Sequence, residues 1–123
     1  MTPDEIETAV ASGRSFSGVR FVSFDLAGRK LSGLDLAGSK VEHVSFDGAD
    51  LRNARWPGAE LLHVRAQGAS FEGADLAGVR ALFVAWPGAS LRGAGLSGAF
   101  LPQIDLQKAD LRDAVLHDAV LTG

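Results

Sequence analysis

The stretch "AWPGASLRGAGLSGA", residues 85–99, places a large apolar residue at every fifth position. Trp86, Leu91 and Leu96 share this register, and a glycine follows each of them two positions later. A period of five matches neither the 3.6-residue repeat of an α-helix nor the two-residue alternation of a strand. The stretch therefore indicates a chain that turns a corner every five residues.

The same register continues along most of the chain. From Phe16 to Leu121, all 22 positions spaced five residues apart are apolar. Alanine or another apolar residue commonly stands two positions earlier, which is the spacing of two inward side chains on extended backbone. Glycine recurs two positions later, where a tight bend requires a positive φ. Each unit is one short wall and one corner, so the pattern predicts a solenoid with an apolar interior.

Several of these units resemble one known family. "ADLRN" at 49–53, "ADLAG" at 74–78 and "ADLRD" at 109–113 are similar to the pentapeptide-repeat consensus A(D/N)LXX, and the similarity extends over residues 14–123. The resemblance implies an all-β solenoid, namely a right-handed quadrilateral β-helix with four units in each coil. On that geometry the 22 units form about five and a half coils.

The two tryptophans each stand directly before Pro-Gly, the sequence of a type II turn. With four units per coil, Trp56 and Trp86 lie on opposite walls and point inward. Ala66 faces Trp56 across its coil, and Ala81 adjoins Trp86. Because protein interiors are close-packed, we expect these small residues to compensate for the two large rings.

The N-terminus departs from the repeat. In "TPDEIETAVASG", Thr2 is a candidate N-cap, and Glu5 three residues later completes a capping box around the intervening proline. Gly13 is suited to end the helix. We expect residues 1–13 to form a short capping helix on a repeat domain that spans residues 14–123.

The first coil has unusual residues at inward positions. Arg14 and Arg29 are charged, and Phe24 and Leu34 are larger than the alanine found elsewhere. We therefore expect this coil to be wider than the others or distorted.

The composition excludes several kinds of site. The chain has no cysteine, which rules out disulfides, thiolate metal sites and a cysteine nucleophile. No serine, histidine and carboxylate set has the spacing of a catalytic motif, and the glycines are explained as corners. We therefore expect no enzymatic activity, no catalytic residue and no cofactor. No basic leader or apolar run of ~20 residues is present, so we expect a cytoplasmic location and no membrane association.

One wall differs from the others on its outer side. It carries several large apolar residues beside basic ones, a combination typical of protein-binding surfaces. The alternative is that a loop or the N-terminal helix covers these side chains, or that they are simply solvated. The predicted partner-binding residues are Leu62, Leu82, Phe83, Phe100, Pro102 and Arg80.

Two histidines, His43 and His63, lie one coil apart on the same wall, with Glu42 and Glu60 close by in sequence. These residue types could bind a metal ion. Neighbouring histidines on the outside of a solenoid are more often solvated, so the sequence assigns no metal ligand.

The charge balance bears on function. The net charge of −3 comes from the N-terminal segment, because the repeat region has twelve acidic and twelve basic residues. The best-known members of the resembled family imitate DNA in width, shape and negative charge, and protect type II topoisomerases from quinolones. A neutral surface is a poor substitute for a phosphate backbone. We therefore favour a rigid protein–protein interaction scaffold without direct nucleic-acid binding, with a gyrase-binding DNA mimic as the alternative.

The last units, "AVLHD" and "AVLTG", place valine at outward positions beside the final coil. Exposed strand edges favour pairing with another chain, and two copies meeting end to end could bury this coil. The resemblance agrees, since several family members dimerise through their C-terminal ends. The alternative is a frayed, solvated coil. The predicted homodimer interface comprises Val115, Leu116, Ala119, Val120 and Leu121.

Overall fold

The computed structural model describes residues 1–122, which form one helix and six strands. The strands pair in chain order as a single parallel sheet. The elements are α1 (Pro3–Ala11), β1 (Arg20–Val22), β2 (Lys40–Ser45), β3 (Glu60–Arg65), β4 (Arg80–Leu82), β5 (Phe100–Pro102) and β6 (Val120–Thr122).

Neighbouring coils are offset by one constant length of chain. In the sheet, Arg20 pairs with Lys40, and the later strands keep the same offset. Single parallel bridges with this offset join the coils on the other three walls, as between Asp25 and Ser45. The chain is thus a parallel β-solenoid of about five turns, and the predicted right-handed quadrilateral β-helix is confirmed.

The corners share one backbone conformation. From Gly18 to Asp118, the residue two positions after each inward apolar residue has a positive φ. Glycine occupies twelve of these corners, and nine are occupied by other residues. Hydrogen bonds between coils hold the corners in place, as where the Gly48 N–H donates to the Gln67 carbonyl at 2.8 Å. The five-residue period therefore corresponds to one left-handed corner residue per unit.

The aromatic core confirms that both tryptophans are packing residues. Trp56 and Trp86 are fully buried, and neither indole N–H has a hydrogen-bond partner. Phe71 lies between them, with ring centroids 5.4 Å from Trp56 and 4.7 Å from Trp86. Phe71 shares the inward register, but spacing alone does not distinguish it from the other inward residues. Ala66 and Ala81 are buried in the same core, as the proposed compensation requires.

The N-terminal helix also agrees with its prediction. Thr2 caps α1, and its side chain and that of Glu5 form the reciprocal capping box. Gly13 adopts φ 81°, and its N–H donates to the Val10 carbonyl at 2.9 Å. The buried face of α1 belongs to the same core as the first coil, so the helix covers the N-terminal end of the solenoid. That face consists of Ile6, Ala9 and Val10.

The first coil is more regular than the sequence suggested. Leu34 is fully buried, and the hydrogen bonds to the second coil are of normal length, including 2.8 Å from the Leu26 N–H to the Ser45 carbonyl. The expected distortion is wrong because the arginines do not enter the core. Arg14 is exposed, with its guanidinium 5.4 Å from the centre of the Phe16 ring.

Arg29 instead connects the solenoid to the helix. Its guanidinium forms ion pairs with Asp4 and with Glu7, the latter at 3.2 Å. The Lys30 N–H donates to the second Glu7 oxygen at 3.0 Å. These hydrogen bonds, first from the Lys30 backbone and then from Arg29, lower the pKa of Glu7. Arg29, which the sequence register places at an inward position, therefore attaches α1 to the solenoid.

Candidate interaction surface

The wall formed by β1 to β6, here called the sheet wall, is distinguished by its corner residues. Its first five corners all lack glycine and still have φ values between 53° and 61°. This conformation costs a residue other than glycine roughly 1–2 kcal/mol. Such strain is concentrated at functional sites in many proteins. The residues, here called the corner column, are Ser23, His43, His63, Phe83 and Gln103.

Three members of the corner column stack on one another. The ring centroids of His43 and His63 are 4.9 Å apart with planes 13° from parallel. Those of His63 and Phe83 are 4.8 Å apart with planes 9° from parallel. All three side chains are exposed, and Phe83 retains 68% of its accessible surface. The absence of glycine from every fourth unit is the signal in the sequence that marks this column. The predicted partner-binding residues did not depend on that signal.

The predicted partner-binding residues lie on three successive coils of the sheet wall. Leu82, Phe83 and Phe100 are exposed, while Leu62 and Pro102 are half-buried. The alternative in which the N-terminal helix covers these side chains is wrong, because α1 packs on the end of the core. We refer to the predicted set (Leu62, Leu82, Phe83, Phe100, Pro102 and Arg80) as the sheet-wall cluster.

A shallow groove of about 370 Å³ crosses the sheet-wall cluster. Leu62, Leu82 and Phe100 provide its apolar lining. The guanidinium of Arg80 lies 5.6 Å from the centre of the Phe100 ring, so this cation covers part of an aromatic face. Because strands fix the backbone on each side, the groove is a rigid feature of the fold.

The basic side chains beside the groove are only partly neutralised. Arg20 pairs with Glu42 at 3.5 Å. Lys40 and Arg80 flank Glu60 in adjacent strands. Within residues 1–122, neither Lys40 nor Arg80 has a carboxylate within 4.0 Å. The groove thus combines an apolar lining with two cations, Lys40 and Arg80, and two carboxylates, Glu42 and Glu60.

The other walls contain local ion pairs in place of an acidic surface. Arg52 and Asp50 pair at 2.7 Å, as do Arg112 and Asp110. Hydrogen bonds from the Arg112 side chain hold the pKa of Asp110 at about 2. These carboxylates are balanced by an arginine two positions along the chain.

The last coil is the second place where large apolar side chains are exposed. Val115 and Leu116 retain 53% and 40% of their accessible surface, and Val120 retains 40%. Phe100 pairs with Val120 in the sheet, so this area is continuous with the sheet-wall cluster. Ala119 and Leu121, the other predicted dimer residues, are half-buried. Gly123, the last residue of the predicted repeat domain, lies outside the described residues.

Comparisons with known proteins agree with this repeat architecture. A family model described as pentapeptide repeats matches residues 15–55, 45–80 and 88–123, in eight copies. The chain therefore belongs to the pentapeptide repeat family. No curated protein sequence matches it significantly. Within residues 1–122, no helix has the length and apolar character of a membrane span.

Three solved structures were compared with this chain, and one of them has high structural similarity to it. The pentapeptide repeat protein Rfr23 from the cyanobacterium Cyanothece 51142 matches with a TM-score of 0.73 and 18% identity, covering 98% of this chain and 95% of Rfr23. A pentapeptide repeat protein from the thylakoid lumen of Arabidopsis thaliana matches with 24% identity and a TM-score of 0.32, covering 85% and 69% of the two chains. QnrB1, a plasmid-mediated fluoroquinolone resistance protein, matches with 20% identity and a TM-score of 0.27, covering 89% and 84%. The similarity to Rfr23 extends over nearly the full length of both chains and supports a common fold.

Proposed function

We propose that this chain is a non-enzymatic interaction scaffold that binds a partner protein through the sheet-wall cluster. The observation that carries this proposal is the exposure of Leu82 and Phe100 in one groove, with the exposed Phe83 next to Leu82 in the chain. Contiguous exposed apolar surface beside polar residues is typical of protein-binding sites. Aromatic and arginine side chains are also the residues that most often dominate binding free energy.

The rigidity of the solenoid favours this role. The groove is built on adjacent parallel strands that pair in register, as where Glu60 pairs with Arg80. A surface that is already ordered loses little conformational entropy when it binds. More of the gain from burying Phe83 and Phe100 then contributes to affinity.

The charges near the groove define the chemistry of the proposed partner. Lys40 and Arg80 flank an apolar lining and have no close carboxylate among residues 1–122. Complementary charges increase association rates and select among partners. We therefore propose a partner segment that presents an apolar ridge flanked by both acidic and basic side chains.

Comparative affinity purification tests this proposal. The variant Leu82→Ser with Phe83→Ser removes exposed apolar surface, and Arg92→Ser with Gln67→Ser is a matched change of two exposed residues on other walls. We expect one protein to bind the unchanged chain and the control variant but not the sheet-wall variant. Calorimetry with the purified partner then measures the loss. Equal retention by the two variants contradicts the proposal.

We also propose that the last coil forms a homodimer interface, as predicted for Val115, Leu116, Ala119, Val120 and Leu121. Its support is the exposure of three large apolar side chains next to the edge strand β6. Two copies related by two-fold symmetry would bury this area and pair the edge. Light scattering should give a dimer mass that becomes a monomer mass in Val115→Asp with Val120→Asp. A monomer mass for the unchanged chain at all concentrations contradicts this interface.

A further inference from the structure

His43 and His63 are arranged differently from two independent surface histidines. They come from β2 and β3, adjacent parallel strands, and their rings stack at 4.9 Å. Two imidazole nitrogens bound to one ion at ~2.1 Å lie about 3 Å apart. Because both side chains are exposed, modest side-chain rotations can bring one nitrogen of each ring to that separation.

We propose that His43 and His63 form a binding site for a divalent first-row transition-metal ion of the type represented by Zn²⁺, Ni²⁺ and Cu²⁺. Imidazole nitrogen is a preferred ligand of these ions, whereas Mg²⁺ and Ca²⁺ prefer oxygen. No group in the described chain brings together three or more His, Asp or Glu side chains suited to hold a metal. The site therefore offers two protein ligands, and water completes the coordination.

The backbone holds the two histidines in register. Their φ values are 53° and 54°, so both side chains leave the chain from the same left-handed corner. On either side of them, Glu42 pairs with Leu62 and Val44 pairs with Val64. The separation of the two Cα atoms is consequently set by the sheet, and metal binding requires movement of side chains alone.

The surroundings of the pair leave space for coordinated water. A shallow groove of about 420 Å³ contains both histidines together with Ser23, Asp25 and Arg65. Arg65 forms an ion pair with Asp47 at 3.2 Å, which offsets its repulsion of a metal ion. Asp25 lines the same groove but does not form a three-residue metal-binding group with the two histidines.

The glutamates named with these histidines in the sequence analysis are not part of this site. Glu42 and Glu60 line the apolar groove of the sheet-wall cluster instead.

Titration of the tag-free chain with ZnCl₂ and NiCl₂ by calorimetry tests the proposal. We expect one ion per chain with a Kd of about 1–100 µM. His43→Gln and His63→Gln should each weaken binding by at least about tenfold, because one of two protein ligands is lost. Glutamine suits this position, since Gln103 occupies the same column with φ 55°.

His117→Gln is the matched control, because this exposed histidine lies on another wall. We expect its affinity to stay within about twofold of the unchanged chain. Addition of Ni²⁺ should also broaden the NMR signals of His43 and His63 before those of His117, a measurement that needs no variant. Unchanged binding in the His43 and His63 variants, loss in the His117 variant, or no saturable binding overturns the proposal. None of these measurements depends on the partner proposed above.

Discussion

Three walls of the solenoid and the sheet wall meet the same backbone requirement with different residues. On the three walls glycine occupies most corners, whereas five successive corners of the sheet wall carry the larger side chains of the corner column. The φ values are similar, as for Gly68 at 66° and Phe83 at 56°. The hydrogen bonds between coils therefore hold the corner, and glycine lowers its cost. Because the corner column retains larger side chains in spite of this steric cost, the sheet wall is the candidate functional surface.

The largest expected effect lies in the core that both kinds of wall share. Ala66→Phe should lower the free energy of unfolding by about 1–3 kcal/mol or more, because it adds a ring next to the buried aromatic side chains. Leu76→Phe, at an ordinary inward position, should cost less. Thermal denaturation of the two variants measures the difference. Equal shifts would contradict the compensation between Ala66 and the tryptophans.

Substitution of a corner glycine should have the next largest effect. Gly73 has φ 68°, and an added Cβ would lie 2.6 Å from the Asn53 side-chain oxygen. Gly68 has φ 66° and no atom within 4 Å of that position. We expect Gly73→Ala to cost about 2 kcal/mol and Gly68→Ala about 1 kcal/mol in urea denaturation. If Gly68→Ala costs as much as Gly73→Ala, then backbone conformation alone determines the penalty.

The reverse change on the sheet wall should give a smaller effect of opposite sign. Ser23→Gly should raise the free energy of unfolding by about 0.5–1 kcal/mol, because the steric cost of the left-handed corner exceeds the added chain entropy of glycine. Phe83→Gly should gain less, since it also removes the stacking of Phe83 on His63. Urea denaturation of both variants tests this order. Destabilisation by Ser23→Gly would show that the corner column is not strained.

The smallest expected effect concerns topoisomerases. Purified protein should leave gyrase supercoiling and quinolone-stabilised cleavage unchanged at micromolar concentrations, because the repeat region has equal numbers of acidic and basic residues. Clear inhibition would favour the DNA-mimic alternative. The candidate binding surface would then be the other three walls and not the sheet wall.

Periodicity in the sequence was sufficient to predict a solenoid, its inward register and its corners, and the family resemblance implied the four units of each coil. The reason is that burial in a solenoid depends on spacing along the chain, so Trp56 and Trp86 could be placed inside without knowledge of their neighbours. The capping box of Thr2 and Glu5 was equally readable, because both partners lie within one helical turn.

Contacts between coils required the tertiary structure. The attachment of Arg29 to α1, the position of Phe71 between the tryptophans and the stacking of His43 on His63 join residues 15 or more positions apart. A repeat of five with four units in each coil, as the family resemblance implies, determines the height and wall of each residue but not its side-chain torsions. Those torsions are set by packing between coils. The sequence therefore determined the solenoid scaffold. The arrangement of side chains on the sheet wall was decided by tertiary contacts.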